Sequence, residues 1–131
     1  MFSLGPRSKM RLQGVHPDLV KVVERAIQIS TVDFTVLEGV RSPERQRALV
    51  EAGASQTLNS RHILGVDGTG KAVDLGAWVD DQVDWSWPLY YRIAGAMKLA
   101  AKELNIPIEW GGDWVKFKDG PHFQLPHGEY P

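Results

Sequence analysis

The sequence predicts an α+β fold, a small antiparallel sheet packed with about three helices. Three segments open on a proline suited to the first helical turn, at Pro17, Pro43 and Pro88. Between them lie short runs rich in β-forming residues. The resulting order is helix, strand, helix, long loop, strand, helix, strand, strand. That order leaves a small sheet for the helices to cover.

Residues 1–15 read as an irregular arm. His16-Pro17-Asp18 opens the first helix, with His16 at the cap and Asp18 favourable to the helix dipole. Leu19, Val22, Val23, Ala26 and Ile27 fall on one helical face, which should be core. Phe34 to Val40 alternates apolar and polar residues and predicts a strand. Ser42-Pro43-Glu44 starts a helix that should run to about Ala52, with Gly53 as its stop. Residues 54–70 are polar and glycine-rich, a long loop. Lys71 to Ala77 predicts a short strand. Ser86-Trp87-Pro88 starts the longest helix, whose face is Leu89, Ile93, Ala96, Met97, Ala100 and Leu104. Ile106 to Trp110 predicts a strand, Gly111-Gly112 a turn, and His122 to Leu125 a last strand. By length, residues 1–131 make one domain.

Composition narrows the function. Fifteen basic and sixteen acidic residues give a net charge of -1, so there is no long-range attraction for nucleic acid or anionic lipid. The weak basic clusters at Arg7, Lys9, Arg11 and at Arg41, Arg45, Arg47 read as solvated surface. The acidic run at Asp80, Asp81 and Asp84 reads as a solvated loop. With no cysteine, a disulfide scaffold and a thiol nucleophile are excluded. Met1 to Leu12 is charged and lacks the apolar segment of a secretory signal, and no stretch is long enough to span a membrane. The expectation is a monomer made in the cytoplasm, without stable membrane insertion.

Chemistry concentrates in three segments: Ser60-Arg61-His62, Lys71-Ala72-Val73-Asp74 and Asp119-Gly120-Pro121-His122. Singly, each histidine has an ordinary structural reading, and His16 and His127 are expected at a helix cap and on the surface. Asp74 differs, because an acid among apolar strand residues is costly to bury unless paired or ligating. His62, Asp74 and His122 together supply two imidazoles and one carboxylate, a donor set suited to catalytic zinc with one position left for water. Asp119 lies three residues before His122 and supplies a separate acid or base.

These segments resemble the Ser-x-His-x-x-Gly-x-Ala-x-Asp and acidic-x-x-His motifs of the LAS metallopeptidases, which include D-Ala-D-Ala carboxypeptidases. The likeness is nearest to the single-domain L-alanyl-D-glutamate endopeptidase endolysins of phages that infect Gram-negative bacteria. Gly39-Val40-Arg41-Ser42 and Gly111-Gly112-Asp113-Trp114 resemble further family segments, so the likeness spans about residues 15 to 126. It implies a hedgehog and D,D-peptidase-like fold. It implies Zn2+ held by His62, Asp74 and His122, with Asp119 as catalytic acid/base and Arg41 holding substrate or oxyanion. It further implies a peptidoglycan stem peptide as substrate, reached in the periplasm only after a membrane lesion. Arg41 could equally serve a structural ion pair. Alternatives are a D,D-carboxypeptidase or dipeptidase cut by the same machinery, or a non-catalytic zinc-binding wall module. The intact Asp119 argues against the last.

Two departures stand out. In the motif the aspartate follows the histidine by seven positions, whereas here the step from 62 to 74 is twelve. Gly65-Val66-Asp67-Gly68-Thr69 reads as an inserted turn, which makes Asp67 a competing ligand candidate. Asp74 is favoured because Asp67-Gly68 reads as the turn itself. Val40 stands where the family usually has an aromatic residue. Trp110 and Trp114 are candidates to line a substrate groove, although core or rim packing is the commoner role.

Overall fold

The fold is organised around an antiparallel sheet whose central strand carries Asp74, and the computed structural model describes residues 1–131. In chain order the elements are α1 (Pro6–Arg11), α2 (Pro17–Ile29), β1 (Phe34–Glu38), α3 (Pro43–Glu51), β2 (Ala72–Val79), β3 (Gln82–Asp84), α4 (Trp87–Leu104), β4 (Glu109–Trp110), a 3-10 turn (Gly111–Asp113) and β5 (His122–Gln124). The sheet runs β1-β2-β5-β4, with β3 pairing the far end of β2. The α+β architecture agrees with the expectation from sequence.

Helix starts and stops follow local chemistry. His16 Nδ1 accepts from the Asp18 N–H at 3.0 Å and caps α2, and Ser42 Oγ accepts from the Arg45 N–H at 3.0 Å and caps α3. At the start of α4 Ser86 holds the N-cap position without a side-chain hydrogen bond, and its own N–H donates to Asp84 Oδ1 at 2.9 Å. α4 ends on Asn105 in the left-handed conformation, with φ 59°. The buried face of α2 is the expected one, and it packs against α4. On α4 Ile93, Ala96, Met97 and Ala100 are buried as expected, joined by Tyr90, Ala94 and Ala101, while Leu89 is partly buried and Leu104 exposed. The core between helices and sheet is completed by Val36, Val73, Leu75 and Phe123. Burying side chains of that size contributes roughly 1.5–3 kcal/mol each.

Residues 1–15 depart from the expected irregular arm. α1 forms there and guards the free edge of β1. Ser8 Oγ accepts from the Val36 N–H at 3.0 Å, and Arg11 Nη1 donates to the Val36 carbonyl at 2.9 Å. Both main-chain groups of an edge residue are thereby satisfied. The helix shows no apolar stripe because its one buried residue is Ser8. A second departure is β3. Asp80 and Asp81 adopt φ of 52° and 63° and form the two-residue hairpin turn between Val79 and Gln82. The acidic run therefore forms a solvent-exposed hairpin turn at Asp80 and Asp81, with Asp84 on β3 accepting from the residue that leads into α4.

Candidate active site

The sheet register aligns three polar residues across three strands. Glu38 on β1 pairs with Asp74 on β2, and Asp74 pairs with His122 on β5. Directly opposed residues present their side chains on one face. A register shift between Val36 and Glu38 brings Glu38 into that row. His62 reaches it from the long loop, which is sewn to both sides. The Arg41 N–H donates to the His62 carbonyl at 2.9 Å, and the Lys71 N–H donates to the Arg61 carbonyl at 2.8 Å.

Each imidazole is oriented by one hydrogen bond on the side away from Asp74. His62 Nδ1 donates to the Gly39 carbonyl at 2.8 Å, and His122 Nε2 donates to Gln124 Oε1 at 2.8 Å. These bonds leave His62 Nε2 and His122 Nδ1 facing Asp74 Oδ1, each at 3.3 Å. One donor atom from each of the three residues lies within 4.8 Å of the others, close enough to surround a metal ion. His62 Nε2 and Asp74 Oδ1 are buried without a hydrogen-bond partner. Two lone pairs and a carboxylate oxygen converging unpartnered in a buried place fit a cation.

The electrostatics follow from burial and charge. Burial opposes ionisation of Asp74, but the two imidazoles facing it, His122 first and then His62, outweigh it and hold the carboxyl well below the usual range. Burial likewise works against a charged His122, yet Asp74 outweighs it and raises the imidazole pKa. Asp119 is half-buried on the rim of the same cavity and stands outside the three-residue cluster. Its pKa is raised, first by burial and then by Asp74, against partial relief from His122, His62 and Arg41. Gly111 permits this placement, since a Cβ there would sit 2.4 Å from the Asp119 carbonyl oxygen.

Arg41 is nearly fully buried and committed on several sides. Nε donates to Glu38, Nη1 to Gln46 Oε1 at 2.8 Å, and Nη2 to Asp74 Oδ2 at 3.4 Å. Asp67 stands apart from the cluster. Its Oδ1 accepts from Lys71 Nζ at 2.6 Å, from the Thr69 N–H at 3.0 Å and from Thr69 Oγ1 at 2.9 Å. The turn it organises closes through the Gly65 N–H to the Thr69 carbonyl at 2.9 Å. The five-residue insertion therefore leaves both ends of the motif in place.

The family model described as phage L-alanyl-D-glutamate peptidase matches residues 1–125. The chain belongs to this family. It is 31% identical to the L-alanyl-D-glutamate peptidase of Escherichia phage T5, over 98% of this chain and 93% of that protein. It is 36% identical to the L-alanyl-D-glutamate peptidase of Listeria phage A118, over 76% of this chain and 32% of that protein. The solved structure of the L-Ala D-Glu endopeptidase ChiX from Serratia marcescens is 52% identical, covers 96% of this chain and 91% of that one, and superposes with TM-score 0.88. The vancomycin-resistance D,D-dipeptidase VanXYg shares the fold alone, at 18% identity and TM-score 0.50 over 85% of this chain and 50% of that one.

Within this member of the phage peptidase family, several residues around the cluster escaped sequence reading. Gln124 was legible in principle, being two positions from His122 on one strand and so on the same face. Gln46 lies fully buried and donates from Nε2 to Ser55 Oγ at 2.7 Å and to the Thr57 carbonyl, which anchors the loop ahead of His62. Only its tertiary surroundings reveal that role. The two tryptophans divide: Trp110 is core, donating to the Gly120 carbonyl at 2.7 Å, whereas Trp114 lines the cavity with its ring 5.1 Å from that of His122. His127, exposed as expected, sits on the cavity's outer edge.

Proposed function

We propose that this chain is a zinc-dependent endopeptidase that hydrolyses the amide bond between L-alanine and D-glutamate in peptidoglycan stem peptides. The observation that carries this reading is the buried, unpartnered pair His62 Nε2 and Asp74 Oδ1 beside His122 Nδ1, in a chain of this family. We assign His62, Asp74 and His122 as the ligands. Zinc bound there supplies Lewis acidity for the scissile carbonyl and lowers the pKa of an attacking water. Gly39 and Gln124 hold the two imidazoles in the tautomers that ligation needs.

Asp119 is assigned the proton transfers. It accepts a proton from the attacking water and returns it to the leaving amine of D-glutamate, a role favoured by its raised proton affinity. Arg41 orients Asp74 through Nη2. An arginine carries five N–H donors, so those not used by Glu38, Gln46 and Asp74 are available to a developing oxyanion in the cavity Arg41 lines. The cavity, about 940 Å3, is large enough for several residues of peptide. No helix is long and apolar enough to cross a membrane. We place the activity on the periplasmic wall of the host, after the inner membrane has been breached.

Mass spectrometry of purified peptidoglycan digested by the zinc-loaded protein tests the reading. The expected products are a new N-terminal D-glutamate and a strand ending in L-alanine, with both suppressed by chelator and restored by zinc. Release of D-alanine instead would move the assignment to a D,D-cut. Intact peptidoglycan would overturn the enzyme reading.

A further inference from the structure

Arg61 is a cation held in the wall of this cavity by neutral groups alone. It lines the space shared by His62, Asp74 and Asp119. Its Nη2 donates to the Leu125 carbonyl at 2.7 Å and to the Tyr130 carbonyl at 2.8 Å, which pins the guanidinium between the end of β5 and the C-terminal tail. The tail is itself fixed, since Tyr130 Oη donates to Asp18 Oδ2 at 2.7 Å. Arg61 Nε is buried without a partner. No carboxylate of the protein stands within ion-pair distance of the Arg61 guanidinium, whose protein partners are main-chain carbonyls.

The other charges of the cavity sharpen the point. Arg41 and Arg45 are answered by Glu38, and Arg41 also by Asp74. Lys116 and Lys118 are exposed on the lip and make no ion pair. On the acidic side, Glu38 and Asp74 are already engaged, which leaves Asp119. The cavity thus offers more cation than its own carboxylates answer. An immobilised and partly desolvated guanidinium whose Nη1 makes no bond within the protein suits a ligand that brings its own anion.

We propose that Arg61 determines specificity by receiving a free carboxylate of the stem peptide close to the scissile bond, with Lys116 and Lys118 adding attraction from the lip. This rests on the L-alanyl-D-glutamate reading of the site. The peptide continues through the γ-carboxyl of D-glutamate, so its α-carboxylate is free unless amidated. A diaminopimelate in the next position carries a second free carboxylate. Both offer Arg61 the same chemistry, and amidation removes either one.

The test compares kcat/KM of the zinc-loaded wild type on three synthetic stem peptides: fully free acid, amidated at D-glutamate, and amidated at diaminopimelate. Amidating the carboxylate that Arg61 receives should lower kcat/KM on the order of ten-fold or more. The arm that falls identifies which carboxylate it is. Arg61→Gln should bring that ratio towards one. Should circular dichroism show Arg61→Gln unfolded, Arg61→Lys is read in its place, with an intermediate ratio expected. Equal cleavage of all three peptides by the wild type overturns the Arg61 assignment while leaving the endopeptidase intact, as does a variant that keeps the wild-type ratio. A wild type that cleaves none overturns the endopeptidase reading itself, and the Arg61 assignment with it.

Discussion

Two aspartates on either side of Lys71 make an instructive pair. Asp67 in the inserted turn and Asp74 on β2 are both held well below the usual carboxylate range. The causes differ. Asp67 is lowered first by its bond from Lys71 and then by Thr69, and its Oδ1 is saturated by three donors. Asp74 is ionised against the opposition of burial, and its Oδ1 faces two imidazole nitrogens without a donor of its own. A depressed pKa therefore does not mark a ligand. An oxygen that is charged, buried and left over does, because a native fold rarely leaves such a group unpaired unless something else completes it.

The largest effect that tests this contrast is Asp74→Asn. It keeps the side chain's size but removes the charge that two imidazoles and Arg41 surround. The expected outcome is less than a tenth of a zinc per chain by elemental analysis, roughly, and no measurable lysis of outer-membrane-permeabilised cells. A variant that still carries one zinc would refute Asp74 as a ligand. Next in size is Asp119→Ala. Zinc content should stay near one per chain while turnover falls by roughly 10²–10⁴-fold, the usual worth of a positioned acid/base. Loss of zinc instead would make Asp119 a ligand and break the division of roles.

Gln124→Leu probes the support behind His122 and should act more weakly. With its Nε2 bond removed, His122 loses the partner that fixes its tautomer, and zinc affinity should drop by roughly 10–100-fold in a chelator competition titration. An unchanged affinity would show that the sheet alone orients the ring.

How much of this was legible beforehand follows from which forces act locally. Pro17, Ser42 and Pro43 announce helices because capping is decided within a few residues. The donor set His62, Asp74 and His122 could be assembled from motif order. Its closeness in space depends on the pairings Glu38 with Asp74 and Asp74 with His122, which no spacing encodes. α1 stayed hidden because its contact with the sheet is a serine hydroxyl and an arginine rather than an apolar face. Arg61 and Gln46 were unreadable for a related reason. Their partners are main-chain carbonyls and hydroxyls up to 69 positions away in sequence.

The proton competes with metal for the same nitrogens, and the direction of that competition is fixed by His122. In the metal-free protein its raised pKa means that the charged ring stabilises the fold below the unfolded value of about 6.5. That contribution is lost as pH rises through the higher folded value. Zinc requires the neutral ring, so its contribution runs the opposite way. The difference in Tm between zinc-loaded and chelated protein should be small near pH 5 and grow towards about pH 8. A difference that stays flat across that range would remove His122 from the ligand set.

The smallest effect on catalysis belongs to Asp67→Asn, and it closes the comparison. Lys71 is 1% exposed, and its ammonium is held by Asp67 and by the Thr69 carbonyl at 3.0 Å. Removing the carboxylate charge leaves a buried cation without its counter-ion, so Tm should fall. Asp67's depressed pKa places its contribution above the unfolded carboxylate range, and that contribution is lost as pH falls below it. The Tm difference between wild type and variant should accordingly narrow in acid. Zinc content and kcat should stay within about two-fold of wild type, because the backbone closure from Gly65 to Thr69 and the bonds that position His62 do not involve this side chain. If zinc were lost instead, the inserted turn would be part of the metal site, and the assignment of Asp74 as sole carboxylate ligand would have to be abandoned.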